Sequence, residues 1–296
     1  MINKKEKAWT GKTGGSRWMQ ESLIVIFKYI NPWWLSPIIA VWVLGYILFQ
    51  KEGRRGIFYY WRKRQNKGFI SSCWHLYVSY FWFGMVVMDR FSAYAGKIFE
   101  IKIDGDLSVL EDKRGCVVLS SHVGNQELAG YTFKSKKPMY VLLYLGDTET
   151  VHENRERMFE QMNLHILPMQ MDGSHVFEMH EILSRGEILS IHGDRLFYNQ
   201  KSISANLLGQ EADFPEGPYR VAAAEDVSVV TMYMMKEKGN RYTLYIRKLS
   251  DGKPETMNRQ EYMRFLLDSY IKNMEQILNL YPHQWFQYYR FWKEEA

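Results

Sequence analysis

A chain of 296 residues, 46% hydrophobic and 24% charged, has the makeup of a folded protein with a sizeable core, either one large α/β domain or a domain with an appendage; a low-complexity chain is excluded. A net charge of +5 is compatible with anionic lipid, anionic donors or nucleic acid and chooses none of them. Two cysteines far apart, Cys73 and Cys116, provide no disulfide framework and no metal-ligand spacing, so they read as reduced thiols and fit a cytoplasmic compartment.

The first 25 residues are basic but hold no continuous apolar stretch of a secretory signal, and no cleavage is expected. Lys4 to Arg17 is polar, basic and Gly-containing, and reads as loosely ordered. An uncharged run from Tyr29 to Gln50 follows, but Pro32 and Pro37 shorten its usable helix to about Ile38–Phe49. At about 1.5 Å per residue that is short of a bilayer crossing, which needs about 20 residues. A membrane-dipping or interfacial helix is the reading, with an amphipathic helix packed on the domain as the alternative. The next segment carries Lys51, Arg54, Arg55, Arg62, Lys63, Arg64 and Lys67 against Glu52 alone, and a second apolar run, Gly68 to Met88, comes after it. Both apolar runs are rich in aromatics, which collect at membrane–water boundaries, and basic clusters beside them suit an anionic leaflet better than nucleic acid.

From about Lys102 short apolar runs alternate with helical patterns. Strands are expected at Cys116–Ser120, Met139–Leu145, Ile188–Ile191, Val227–Met234 and Tyr242–Ile246. Helices are expected at Gln126–Phe133, Asn154–Met162, His175–Ser184, Pro218–Ala224 and Arg259–Leu280. The alternation predicts an α/β fold, a sheet covered by helices on both faces, with residues 1–100 as a membrane-associating helical region and 101–296 as the α/β domain.

Two polar clusters close buried strands, where open α/β sheets place their ligand crevices. The first is Ser120-Ser121-His122-Val123-Gly124-Asn125-Gln126-Glu127. Positions five apart on one helix diverge by about 140°, so His122 should precede the helix, with the Gly124 turn bringing its imidazole back to Glu127. A carboxylate on one ring nitrogen fixes the tautomer and makes the other nitrogen a better base. The same spacing also fits a loop histidine and an unrelated helical glutamate. The second is Ile191-His192-Gly193-Asp194-Arg195, expected on the same sheet edge, where Arg195 can hold a phosphate or an oxyanion and Asp194 can position it; a structural Asp–Arg turn is the alternative. A third, Phe214-Pro215-Glu216-Gly217-Pro218-Tyr219-Arg220, leads into a helix, and Arg220 is a candidate for binding an anionic group. His122, His175, His180 and His192 lack zinc-site spacing, and no metal is expected.

Taken in order, Ser121–Glu127, Gly193–Arg195, Phe214–Arg220 and the closing run Tyr281-Pro282-His283-Gln284-Trp285-Phe286-Gln287-Tyr288-Tyr289-Arg290-Phe291-Trp292 resemble the lysophospholipid acyltransferase superfamily, in its lipid A biosynthesis (lauroyl/myristoyl) acyltransferase-like branch. Trp9 and the Gly11–Gly15 stretch extend the likeness towards the start. The resemblance implies a mixed, mostly parallel sheet flanked by helices and peripheral or singly anchored attachment to the cytoplasmic face of a bacterial inner membrane. It implies acyl transfer from an acyl-carrier-protein or coenzyme A thioester, with no other cofactor, to a hydroxyl or amine of a lipid or glycolipid. His122 would be the general base and Glu127 its orienting carboxylate, with Asn125, Asp194, Arg195 and Arg220 binding substrate. Phe214–Gly217 continues as Pro-Tyr-Arg, unlike the Phe-Pro-Glu-Gly-Thr-Arg block that binds phosphate in glycerol-phosphate acyltransferases, and a glycerol-phosphate acceptor is not expected. A non-catalytic membrane scaffold that keeps the fold, and an acyl thioesterase, are the alternative functions.

Overall fold

The computed structural model describes residues 17–132, 135–144, 149–170, 172–196 and 200–293. The loosely ordered opening, with Trp9 and Gly11–Gly15, lies outside the described residues, as do Phe133 and Leu145 at the expected ends of a helix and a strand.

The described N-terminal part is helical: α1 (Arg17–Tyr29), α2 (Ser36–Phe49), α3 (Lys51–Tyr59) and the 26-residue α4 (Phe69–Tyr94). Pro37 is tolerated in the first turn of α2, where its missing N–H has no intrahelical partner to lose. β1 (Glu100–Asp104) and β2 (Cys116–Ser120) follow, then α5 (Gln126–Thr132), β3 (Met139–Leu143), α6 (Glu149–Gln161), β4 (Leu164–Pro168), α7 (His175–Ser184) and β5 (Ile188–His192). The hairpin β6 (Ser202–Leu207) and β7 (Gln210–Pro215), α8 (Glu216–Ala222), β8 (Ser228–Lys236), β9 (Arg241–Ser250) and α9 (Arg259–Leu280) complete the chain of elements.

Seven strands form one sheet in the order β1-β9-β8-β2-β5-β3-β4. Neighbours from β8 to β4 are parallel, β9 runs antiparallel to β8, and β1 is parallel to β9. This is the mixed, mostly parallel α/β sheet anticipated, with β2 central and buried at every position. Burial on both faces explains its unbroken apolar run. Val117 and Leu119 face one core with Ile191, Tyr233 and α7–α9, while Cys116 and Val118 face the other with Phe27, Phe91, Leu128 and Phe159. Inner faces of the N-terminal helices join these cores: Val43, Ile57, Trp61 and Tyr80 the first, Phe27, Phe91 and Tyr94 the second.

The outer face of α2 is a different matter. Trp42 is 75% exposed, Leu48 67% and Phe49 86%, and Trp34, Ile38 and Val41 lie open beside them. Pro32–Phe49 is the one stretch among the described residues long and apolar enough by composition to cross a membrane. The 14 residues of α2 reach about 21 Å, less than the roughly 30 Å of a hydrocarbon core.

Candidate active site

The register of two strands builds the site. β2 and β5 are parallel neighbours with Ser120 opposite His192, so His122 and Asp194, each two residues beyond that pair, leave the sheet side by side. Hydrogen bonds hold the two strand ends together: Gly193 N–H donates to Ser120 O (2.9 Å), Tyr270 Oη to Ser120 O (3.0 Å) and Tyr219 Oη to Gly193 O (2.9 Å). A Cβ on Gly193 would lie 2.8 Å from the Tyr219 hydroxyl, so the approach of α8 requires glycine here. Beyond His122 the chain turns back against β8 at Gly124 (φ +74°), where a Cβ would meet Met234 O at 2.3 Å. A side chain at Gly124 is excluded by strain and by space.

Asp194 is fully buried and grips His122 twice. Its Oδ2 accepts the His122 backbone N–H (2.8 Å), and its Oδ1 lies 2.9 Å from Nδ1. Burial by itself would raise the Asp194 carboxyl; the charge and hydrogen bonds of His122, with His192 nearby, outweigh it and hold the group below the usual carboxylate range. An ionised Asp194 only accepts, so Nδ1 carries the proton and Nε2 keeps its lone pair. Desolvation, then the Arg195 charge, lowers the His122 imidazole below its ordinary value against the opposing pull of Asp194. His122 is therefore neutral at pH 7, with its side chain 26% exposed at the crevice. The His192 ring stands 4.6 Å from that of His122 and is pushed down to about 3 by burial and the neighbouring imidazole, so it adds no cation.

Glu127 does not pair with His122, which corrects the expectation drawn from spacing. It sits in the first turn of α5, where Tyr94 Oη donates to its Oε1 (2.7 Å), Arg155 Nε also to Oε1 (3.3 Å) and Arg90 Nη1 to Oε2 (3.2 Å). Two guanidinium groups share this one carboxylate, and Glu127 ties α5 to α4 and α6. Spacing alone could not choose between the two carboxylates, because the choice depends on the β2–β5 register.

Asn125 is also reassigned. Its Oδ1 accepts the Leu128 N–H (3.1 Å) at the start of α5 and its Nδ2 donates to Tyr242 Oη (3.2 Å), so the buried side chain caps a helix and does not face substrate. Arg220 is turned outward on α8, one residue from the buried Tyr219, and pairs with Glu216 at the surface. Arg195 does reach the site: it donates to Gln287 Oε1 (3.0 Å) and lies over the Tyr289 ring at 5.5 Å.

Sequence reasoning missed the contribution of the C-terminal segment as a wall of this site. Phe286 N–H donates to His122 O (2.9 Å), Gly124 N–H donates to Gln284 O (2.8 Å), and Trp285 bridges to Val123. The closing run of aromatics and glutamines was the available signal. What the site offers is a neutral imidazole base, its tautomer fixed by a buried carboxylate, beside a guanidinium suited to a developing negative charge.

Residues 80–294 match the family described as bacterial lipid A biosynthesis acyltransferase. Among solved structures the chain is similar to the 1-acyl-sn-glycerophosphate (LPA) acyltransferase PlsC from Thermotoga maritima, with 14% identity over 89% of this chain and 98% of that one and a TM-score of 0.42. No curated protein matches the chain.

Proposed function

The chain belongs to the bacterial lipid A biosynthesis acyltransferase family, and from that premise we propose that it moves a fatty acyl group from an acyl-carrier-protein or coenzyme A thioester to a hydroxyl, or an amine, of a lipid or glycolipid acceptor. The observation that carries the proposal is the 2.9 Å contact between His122 Nδ1 and Asp194, which leaves Nε2 as a base at an open edge of the sheet. His122 Nε2 takes the acceptor's proton as its oxygen or nitrogen bonds to the thioester carbonyl carbon. Arg195 faces the oxyanion of the tetrahedral intermediate. On collapse the carbon–sulfur bond breaks, and the imidazolium returns the proton to the departing thiolate. Glu127 acts at one remove, holding α5, the helix that follows His122, to α4 and α6 through Arg90 and Arg155.

In this reading residues 1–100 attach the protein to the cytoplasmic face of the bacterial inner membrane and residues 101–296 catalyse. The exposed apolar face of α2 and the basic residues that follow it support attachment, with α2 lying in the interface. A glycerol-phosphate acceptor stays outside the proposal, since Arg220 is paired at the surface.

Mass spectrometry of lipid extracts from cells lacking the gene, complemented with wild type or His122→Ala, tests the function. An acylated species lost on deletion and restored by wild type alone supports acyl transfer and identifies the acceptor. Restoration by folded His122→Ala at the wild-type level would overturn the mechanism.

A further inference from the structure

Gln287 is buried and touches both charged side chains of the site. Its Oε1 accepts from Arg195 Nη2 (3.0 Å), while its Nε2 faces Asp194 O (3.3 Å), Asp194 Oδ2 (3.4 Å) and Tyr289 Oη (3.2 Å). A guanidinium only donates, and carbonyl and carboxylate oxygens only accept, so this is the one orientation of the amide that satisfies both neighbours. A carboxylate here would be repelled by Asp194, and an ammonium or guanidinium by Arg195. The neutral amide alone reads the pair.

The segment that carries Gln287 is held from two sides. Gln284, three residues earlier, clasps the Lys236 backbone at the end of β8, accepting its N–H (2.9 Å) and donating to its O (2.8 Å). On the other side α3 presses in through its glycines: a Cβ on Gly56 would lie 2.5 Å from Tyr289 O, and one on Gly53 3.0 Å from Tyr288 Cβ. The amide therefore has a fixed backbone behind it, as a side chain that sets the geometry of others needs.

We propose that Gln287 is the positioning residue of the acyl-transfer site, its amide setting the Asp194 carboxylate that orients His122 against the Arg195 guanidinium that meets the oxyanion. The proposal rests on the acyl-transfer reading for its consequence in catalysis, while the placement of His122 is measurable without turnover. Around the imidazole the charged and titratable groups are Asp194 and Arg195 from the segment after β5 and His192 at the end of that strand. Loss of the amide takes a donor from Asp194, whose carboxylate favours the imidazolium, and removes one acceptor from Arg195, which keeps its contact with Tyr289. The stronger pull of Asp194 raises the His122 titration midpoint.

The test is histidine-detected NMR titration of the full chain in detergent micelles, for wild type, Gln287→Met and Gln287→Glu. The His122 signal is assigned by its loss in His122→Ala, and His180 on α7 serves as internal control. Both variants should titrate at higher pH at His122, Gln287→Glu by about one unit, with His180 unmoved. In the transfer assay Gln287→Met should lose on the order of ten-fold in kcat at nearly constant KM. An unmoved His122 midpoint in Gln287→Met overturns the proposal, even if Gln287→Glu shifts, because that shift is then only an added charge. An equal shift at His180 overturns it as well, since the effect is then a general loosening of the fold. A wild-type protein that transfers no acyl group defeats the acyl-transfer reading alone, and the midpoints still decide the positioning.

Discussion

Replacing Asp194 with Asn is the sharpest perturbation of the site, because the structure dictates how the new amide must sit. The His122 backbone N–H, 2.8 Å from Oδ2, is a donor whatever happens, so the amide oxygen of Asn has to face it. The NH2 then faces Nδ1 and makes it the acceptor, and the proton moves to Nε2, the nitrogen that should act as base. The variant also loses the carboxylate opposite the imidazolium formed in the transition state. With the contact at 2.9 Å and charge centres about 4 Å apart, that attraction is worth about 4 kcal/mol at an effective dielectric of about 20. Such a loss corresponds to about 10³-fold in kcat. The pH profile gives a second reading. Wild-type activity requires neutral His122, whose pKa is already lowered, so activity should hold as pH falls from 7 and decline only below the ordinary histidine range. Asp194 pulls that value upward, so in Asp194→Asn the plateau drops and the acid limb moves to still lower pH. Purified protein with a radiolabelled acyl donor, assayed from pH 4.5 to 8, measures both. Asp194→Asn within about three-fold of wild type, with Glu127→Gln instead carrying the 10³-fold loss and the shifted limb, would refute this reasoning and restore the pairing expected from spacing.

Other consequences are readily measured. Gly124→Ala forces a left-handed residue into the Met234 carbonyl and should cost at least about 1–3 kcal/mol by urea unfolding, with activity lost alongside. Asp89 on α4 pairs at 2.5 Å with Lys236, both fully buried; Asp89→Ala should cost about 3–5 kcal/mol, and Asp89→Leu with Lys236→Met should recover most of it. Trp42→Glu with Leu48→Glu on α2 alters the exposed apolar face without touching the core, so unfolding should be unchanged while binding to anionic vesicles in a flotation assay drops at least about 100-fold.

Much of this protein was legible from one-dimensional pattern. The unbroken apolar run of β2, the amphipathic period of α9 and the prolines before and in the first turn of α2 act within a few residues of themselves, so their elements came out with the bounds or near the bounds observed. The hairpin β6–β7 stayed hidden because its turn places Leu208 as well as Gly209 at positive φ, and leucine gives no turn signal. β1 and β4 lie at the two edges of the sheet, where partial exposure lets charged residues flank Ile101 and Ile103 and places His165 within β4, so neither shows the unbroken apolar run that marks the central strands. The sequence also singled out His122, Asp194 and Arg195 as strand-end residues, which depends only on where the apolar runs stop. Which carboxylate holds His122 was decided by tertiary structure: the alignment of Ser120 with His192 across two strands 72 residues apart in the chain brings Asp194 to Nδ1, while α4 and α6 draw Glu127 away to Arg90, Tyr94 and Arg155. A pairing between segments so distant in sequence leaves no period or spacing to read, because it is set by the register of the sheet and by the helices packed on it.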